Sequence, residues 1–176
     1  MKKISAATWL LVFTMLFSCS REEKKSKLAF DNNIESIYWG SSPNTIKFAN
    51  AHSGNYVCKL DKTNPFSQVF NIKVKDLSTK PLRRAKISAW FMLTGNYSEQ
   101  NLVLDVRDSS MQQSLEWINT DAIDYVKDLN KWGKAELIVD LTKKNRNNPN
   151  NVFRIYASNG KEEPIYVDDF EIQFEE

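Results

Sequence analysis

The chain has 176 residues, of which 41% are hydrophobic and 12% aromatic, and its formal net charge is +2. This length and composition suit one packed domain, which excludes a largely disordered chain and leaves too little room for two large cores. The nearly balanced charge excludes a strongly basic binding surface, so no nucleic-acid partner is expected.

The first residues have the pattern of a secretory leader. Met1-Lys2-Lys3 is positively charged, residues 6–17 are mostly apolar, and Cys19 follows. This order predicts a signal peptide over residues 1–18, too short to be kept as a spanning helix. Leu16-Phe17-Ser18-Cys19 resembles a bacterial lipobox, which implies that Cys19 is acylated and anchors the protein to a membrane. A signal peptide with an incidental cysteine is the alternative.

Residues 19–30 are predicted to be a lipidated cysteine and a flexible tether, because Ser20–Ser26 is polar and mixed in charge. Glu22-Glu23 resembles the export signal that sends some lipoproteins of Bacteroidetes-type bacteria to the cell surface, although a solvated linker explains the pair equally well. The expected location is the bacterial cell envelope, with a lipid anchor in the outer membrane. If the acidic pair is an export signal, the domain is exposed at the cell surface.

From residue 31 to residue 176, short apolar runs alternate with turn residues, and no long helical period is present. This pattern predicts a single all-β domain, a sandwich or barrel of about nine strands. Asp121–Leu129 is either a short helix or a loop, and the polar stretch Lys143–Asn151 is predicted to be a mobile connection. The predicted strands are Ile34–Trp39, Ile46–Ala49, Asn55–Leu60, Gln68–Lys75, Lys86–Leu93, Leu102–Arg107, Ala135–Leu141, Val152–Ala157 and Ile165–Phe174.

The alternation within three of these strands predicts which side chains face outward. Apolar residues at every second position are assigned to the core. If the three strands are neighbours in one sheet, its outer face carries Trp90, Asp105, Arg107, Arg154 and Tyr156. An aromatic ring beside hydrogen-bonding charges suits a sugar, whose apolar face stacks while its hydroxyls pair. The alternative is a solvated face with ion pairs and a tryptophan covered by a loop.

The last predicted strand contains one anomaly. Its alternation places Asp168 on the same side as Tyr166, Phe170 and Ile172, which would be the apolar side. A carboxylate there is costly unless it is paired. A bound cation would provide that pairing, and hydrogen bonds from backbone amides are the alternative.

Four segments follow one another along the chain: His52–Val57, Lys86–Phe91, Trp117–Asp121 with Lys131–Leu141, and Tyr166–Ile172. In this order they resemble the galactose-binding-like jelly rolls, and among them carbohydrate-binding module families four, nine and twenty-two. The resemblance covers residues 34–174 and implies a jelly-roll β-sandwich that binds a polysaccharide or oligosaccharide without catalysis. Trp117, in a polar surround, is the best candidate for a loop contact to that ligand.

The same resemblance implies a structural calcium ion where the first and last strands meet. Carried over by motif, its ligands are Glu35, the backbone around His52 and Ser53, and Asp168, with Asp169 as the less favoured carboxylate of the pair. Calcium takes six to eight oxygen ligands and would neutralise a buried aspartate. A turn without metal, in which Asp168 accepts backbone amides, is the alternative.

Motifs for an enzyme are missing. His52 is the only histidine and no Gly-x-Ser-x-Gly elbow accompanies it. Cys58 shares a side with apolar neighbours and is predicted to be an unreactive core residue. Three hypotheses follow: a non-catalytic glycan-binding lipoprotein, a structural or protein-interaction subunit of a cell-envelope complex, and, least favoured, a small hydrolase.

Overall fold

The computed structural model describes residues 28–35, 39 and 42–176. Cys19 and the predicted signal peptide lie outside the described residues, and so does the tether except for residues 28–30. No helix in the described ranges has the length and apolar character needed to cross a membrane. The strands are β1 Ala29–Asn32, β2 Thr45–Lys47, β3 Tyr56–Leu60, β4 Phe70–Lys73, β5 Arg84–Leu93, β6 Gln100–Arg107, β7 Ser114–Asp121, β8 Trp132–Asp140, β9 Val152–Asn159 and β10 Ile165–Glu175.

These strands form two antiparallel sheets. Sheet 1 has the order β2-β3-β10-β5-β8, and β1 pairs with the second half of β10. Sheet 2 has the order β4-β9-β6-β7. The order β3-β10-β5-β8 in one sheet, facing β4-β9-β6-β7 in the other, is that of a jelly roll with two Greek keys. The predicted fold class, an all-β jelly-roll sandwich, is confirmed.

The hydrophobic core lies between the two sheets and is built from the side chains that the alternation assigned to it. Ile87 and Phe91 of β5, Leu104 of β6, and Phe153 and Ile155 of β9 have no measurable exposure. Full burial of each such side chain contributes roughly 1.5–3 kcal/mol. The strand predictions for these segments are therefore confirmed in both position and orientation.

Cys58 of β3 belongs to this core, as predicted, and it is not in a disulfide. Burial raises the pKa of its thiol, to which the negative charge of Asp168 adds, while hydrogen bonds with Gln68 and Thr45 oppose the rise. A thiol kept protonated in this way is a poor nucleophile.

Three elements differ from the sequence-based expectation. β1 lies before the predicted first strand, and Ile34 and Glu35 form a bend. The predicted strand at Gln68–Lys75 ends at Lys73, where a single helical turn, α1 (Val74–Leu77), begins. β7 was not predicted as a strand because it is a half-exposed edge strand with mixed polarity on both faces. The segment after β7 begins with a short 3₁₀ helix, Ala122–Asp124.

β10 contains a β-bulge that reverses the side-chain alternation. Asp168 pairs with Trp90 and Glu171 pairs with Ser88, so that two residues of β10 face one residue of β5. The extra residue is Asp169, whose φ is 43°. Val167 points to the core before the bulge and Phe170 does so after it. The prediction that Asp168 lies on the apolar side is therefore wrong, since it shares the outer side of sheet 1 with Trp90.

Candidate functional site

Five of the six predicted ligand residues lie together on the outer face of sheet 2. The register places Asp105 of β6 between Arg154 of β9 and Trp117 of β7. Tyr156 follows two positions along β9, and Arg107 two positions along β6. Trp117 therefore occupies a strand, not the loop that was predicted, and its indole shares a face with the other four side chains.

Asp105 fixes the polar row of this face. Its side chain is only 1% exposed. Arg107 Nε donates to Asp105 Oδ2 at 2.6 Å, and Ser114 Oγ donates to Oδ1 at 2.6 Å. Arg107 Nη1 also donates to the carbonyl of Met111 at 2.9 Å. The hydrogen bond to Asp105 raises the pKa of the Arg107 guanidinium. Asp105 is consequently a structural acceptor that orients Arg107.

Aromatic rings flank the polar row. Trp117 is 49% exposed, and its Nε1 donates to the hydroxyl of Tyr156 at 3.1 Å. Tyr156 is nearly buried, and burial raises the pKa of its phenol. Phe66, 54% exposed, meets Tyr156 edge to face with ring centroids 5.6 Å apart. Sequence reasoning missed Phe66, for which an aromatic residue beside Pro65 in a turn was the one available signal.

Arg154 stands at the centre of the same face. It lies opposite Asp105 on one side and Asn71 on the other. Its Cζ is 5.8 Å from the centroid of the Tyr156 ring, which is a cation–π contact. Its Nε is buried and has no hydrogen-bond partner.

Trp90, the sixth predicted ligand residue, lies in the other sheet. It is on β5, between Asp168 of β10 and Lys134 of β8. The His52 ring stacks on its indole with centroids 3.8 Å apart and an interplanar angle of 18°. The expectation that Trp90 shares a face with Asp105 is wrong, because β5 and β6 belong to opposite sheets. A loop covers this tryptophan, as the alternative interpretation proposed.

Asp168 and Asp169 hold that loop. Asp168 has no exposed surface, and it accepts the amide of Ser53 at 3.1 Å and the amide of Asp169 at 2.8 Å. Asp169 accepts Ser53 Oγ at 2.6 Å, and His52 Nδ1 lies 2.5 Å from Asp169 Oδ2. Burial raises the pKa of Asp168 to about 6; the Ser53 amide opposes this rise, and the charge of Asp169 adds to it.

Glu35 approaches the same turn from β1. Its Oε1 accepts the amide of Asn55 at 2.5 Å and that of Tyr56 at 2.8 Å. Gly54 has a φ of +58°, and a Cβ on it would lie 2.2 Å from Glu35 Oε1. A side chain at position 54 would therefore strain the backbone and displace the Glu35 carboxylate.

The predicted calcium ligands thus converge on one turn, where their carboxylates accept hydrogen bonds. As arranged, these carboxylates are engaged by N–H and O–H donors, whereas a calcium ion would need their oxygen atoms to converge on one point. In the described part of the chain, no three His, Cys, Asp or Glu side chains form a group that could hold a metal ion. Calcium at this turn stays a prediction.

His52 has the surroundings of a structural residue. Its ring lies between the indole of Trp90 and the edge of Trp132, with centroids 5.9 Å apart for the second pair. Ser53 Oγ donates to Asp169 and not to the imidazole. Within the described residues, no serine hydroxyl is hydrogen-bonded to His52, which a Ser-His-Asp triad would require.

No protein-family model matches the sequence, and no curated protein matches it either. The solved structures that resemble the chain include carbohydrate-binding modules. The CBM22-1 and CBM22-2 xylan-binding domains of Xyn10C from Paenibacillus barcinonensis are 12% and 16% identical, with TM-scores of 0.47 and 0.48. Both alignments cover 82% of this chain, and 92% and 98% of the respective domains.

A third resemblance is to the CBM35 of Abf62 from Cellvibrio japonicus. It is 12% identical with a TM-score of 0.43, and the alignment covers 73% of this chain and 81% of that one. Because the identities and TM-scores are low, the assignment of a jelly roll to this chain rests on its own strand order.

Proposed function

We propose that this protein is a non-catalytic carbohydrate-binding protein that holds a glycan on the outer face of sheet 2. The observation that carries the proposal is the half-exposed indole of Trp117, held by the hydroxyl of Tyr156 beside the charged row of Asp105, Arg107 and Arg154. An exposed indole normally costs free energy, and one that is oriented by a hydrogen bond is prepared for a flat apolar partner.

A pyranose ring is such a partner. Its axial C–H groups can stack on the indole, while its hydroxyls lie within the plane of the ring and point outward to neighbouring donors and acceptors. Arg154 and the remaining donors of Arg107 are available at one side of the indole, and the exposed Phe66 lies beyond Tyr156. The two aromatic side chains and the polar row together suit a chain of sugars better than a single small molecule.

We further propose that the domain works at the bacterial cell envelope, tethered through acylated Cys19 as the lipobox-like segment implies. Attachment of several acyl chains would contribute about 0.8 kcal/mol per buried methylene, which is enough for stable anchoring. A lipid-anchored binding domain would hold polysaccharide close to the cell. The structural or protein-interaction role is the alternative outcome of the experiment below.

The test is a binding screen with the full-length chain in a polyoxyethylene detergent, which contains no sugar. Trp117→Ala should weaken binding of any retained polysaccharide at least about tenfold, or 1.4 kcal/mol, because the stacking surface is lost. Its melting temperature should stay close to that of the wild type, since the indole is half exposed.

Trp90→Ala is the matched control. It should lower the melting temperature, because its indole carries the stacked His52, and leave glycan affinity unchanged. Retention of no polysaccharide by the folded wild-type protein would refute the proposal and favour a protein partner. Loss of binding in Trp90→Ala but not in Trp117→Ala would move the site to sheet 1.

A further inference from the structure

Arg154 is a guanidinium without a hydrogen-bonding partner in the middle of the outer face of sheet 2. Its Nε is buried and unpaired, and its side chain enters no ion pair among the described residues. The adjacent carboxylate of Asp105 is already used by Arg107 and Ser114. Among the described residues, the one contact of the Arg154 guanidinium is the ring of Tyr156.

Two other acidic residues near this face accept hydrogen bonds elsewhere, and a third lies beside a lysine. Asp108 accepts Ser110 Oγ and the amide of Gln113 within its own turn. Asp121 accepts the amide of Glu99. It pairs with Asn101, four positions along β6 and β7 from the pair of Asp105 and Trp117. Asp76 lines a cavity of about 440 Å³ together with Lys73, which carries the opposite charge. Asp108 and Asp121 are therefore not placed to neutralise Arg154, and the charge of Asp76 lies beside that of Lys73.

We propose that the glycan held on this face is acidic and that Arg154 pairs with its anionic group. This inference rests on the proposed function, because it places the glycan on Trp117. A partly buried guanidinium with unused donors favours a planar anion that can accept two parallel hydrogen bonds, and the carboxylate of a uronic acid has that shape. A sulfate ester offers the same kind of charged oxygen.

A cavity that Arg154 itself does not line opens on the same face, next to this residue. The cavity beside it is lined by Asn71, which pairs with Arg154 across β4 and β9, and by Val152 and Met111. A sugar stacked on Trp117 would place its anionic group over the centre of the face, where Arg154 lies between Asn71 and Asp105.

The experiment compares polysaccharides of different charge, above all an acid with its own methyl ester, using the full-length chain in the sugar-free detergent. Polygalacturonate should bind at least tenfold more tightly than its fully methyl-esterified form and than neutral xylan. Tighter binding of dextran sulfate than of polygalacturonate, lost in Arg154→Gln, would assign the anion as a sulfate. The comparison of the acid with its ester needs no variant and is therefore independent of any folding defect.

Arg154→Gln should reduce the affinity for polygalacturonate at least tenfold, and Arg154→Lys should restore only part of it, because lysine keeps the charge and loses the fork. Lys134→Gln is the control, since it removes one positive charge from the outer face of sheet 1. Binding that Arg154→Gln leaves unchanged, or that about 0.5 M salt abolishes equally in all variants, would overturn the inference as non-specific attraction.

The two proposals fail in different ways. Equal binding of acid and ester, both lost in Trp117→Ala, would leave the glycan-binding function standing and overturn the acidic ligand. Retention of no polysaccharide, charged or neutral, would overturn both.

Discussion

Asp168 is a buried carboxylate. Two amide hydrogen bonds compensate only partly for the water that this group loses on folding. Its pKa is raised from 3.8 to about 6 in the folded protein. Folding therefore favours its protonated form, and the protein pays for its ionisation at neutral pH. The bulge turns Asp168 outward, where its carboxylate binds the His52–Ser53 loop. This attachment offsets the cost of ionising the buried carboxylate.

The sign of the resulting pH dependence follows from the two pKa values. Below about pH 4, Asp168 is protonated in both states and the penalty is absent. As the pH rises through the interval up to about 6, the unfolded chain releases this proton more readily, so the free energy of unfolding falls by at most roughly 3 kcal/mol. Above that interval the contribution is constant.

Asp168→Asn should remove this part of the pH dependence. Urea unfolding at pH values from 4 to 7, in the presence of EDTA so that no cation contributes, measures the free energy for both proteins. The wild type should lose stability relative to Asp168→Asn as the pH rises. Parallel curves for the two proteins would show that Asp168 does not titrate in this interval.

The turn between β2 and β3 is hydrogen-bonded to β10 and to the segment just after β1. Asp168 and Asp169 of β10 bind it at Ser53, and Glu35, just after β1, binds it at Asn55 and Tyr56. β1 and β3 pair with successive halves of the same edge of β10, and the bulge lies between them. The turn therefore lies where the edge of β10 changes its partner from β3 to β1, and it joins the two strands there.

Gly54→Ala should therefore destabilise the protein by roughly 2 kcal/mol. An alanine at a φ of +58° costs about 1–2 kcal/mol, and its Cβ would displace Glu35 from the two amides that it accepts. Chemical unfolding of the single variant and of the Gly54→Ala, Glu35→Ala double variant measures how far the two effects are coupled. The loss of stability in the double variant should be smaller than the sum of the losses caused by the two substitutions separately.

Gly160→Ala is a suitable control, because Gly160 does not have a positive φ and its nearest neighbour is a flexible glutamate side chain. Its loss of stability should be clearly smaller. Equal losses for the two glycines would mean that the left-handed conformation of Gly54 contributes nothing.

On the scale of the whole molecule, the calcium prediction concerns the junction of the first and last strands, where β1, β3 and β10 meet. A ligand that binds only the folded state stabilises it by about 2.7 kcal/mol when its concentration is 100 times Kd. For a domain of this size, that corresponds to a change in melting temperature of roughly 5–10 °C.

If the junction binds calcium, EDTA should lower the melting temperature by that amount and excess CaCl₂ should restore it, while MgCl₂ should not. Metal analysis of the purified chain gives the stoichiometry directly. A melting temperature that is the same in EDTA and in CaCl₂, with no bound metal, would leave the hydrogen-bonded turn as the complete structure of this junction.

Much of the fold could be predicted from the sequence, because alternation in an antiparallel strand is a local property. Ile87, Leu104 and Phe153 were assigned to the core from their neighbours alone, and each is fully buried. The same alternation selected Arg154 and Tyr156 as outward-facing, and the structure places them on one face with Trp117.

Which strands are neighbours was decided by the tertiary structure, since strand pairing joins residues far apart in the chain and leaves no local pattern. Trp90 was therefore grouped with Asp105, although β5 and β6 belong to different sheets. The bulge at Asp169 was equally invisible, because one inserted residue reverses the alternation without changing the composition of the strand. The sequence by itself determined two-faced strands and a core, and the pairing of those strands decided which polar side chains could meet to form a site.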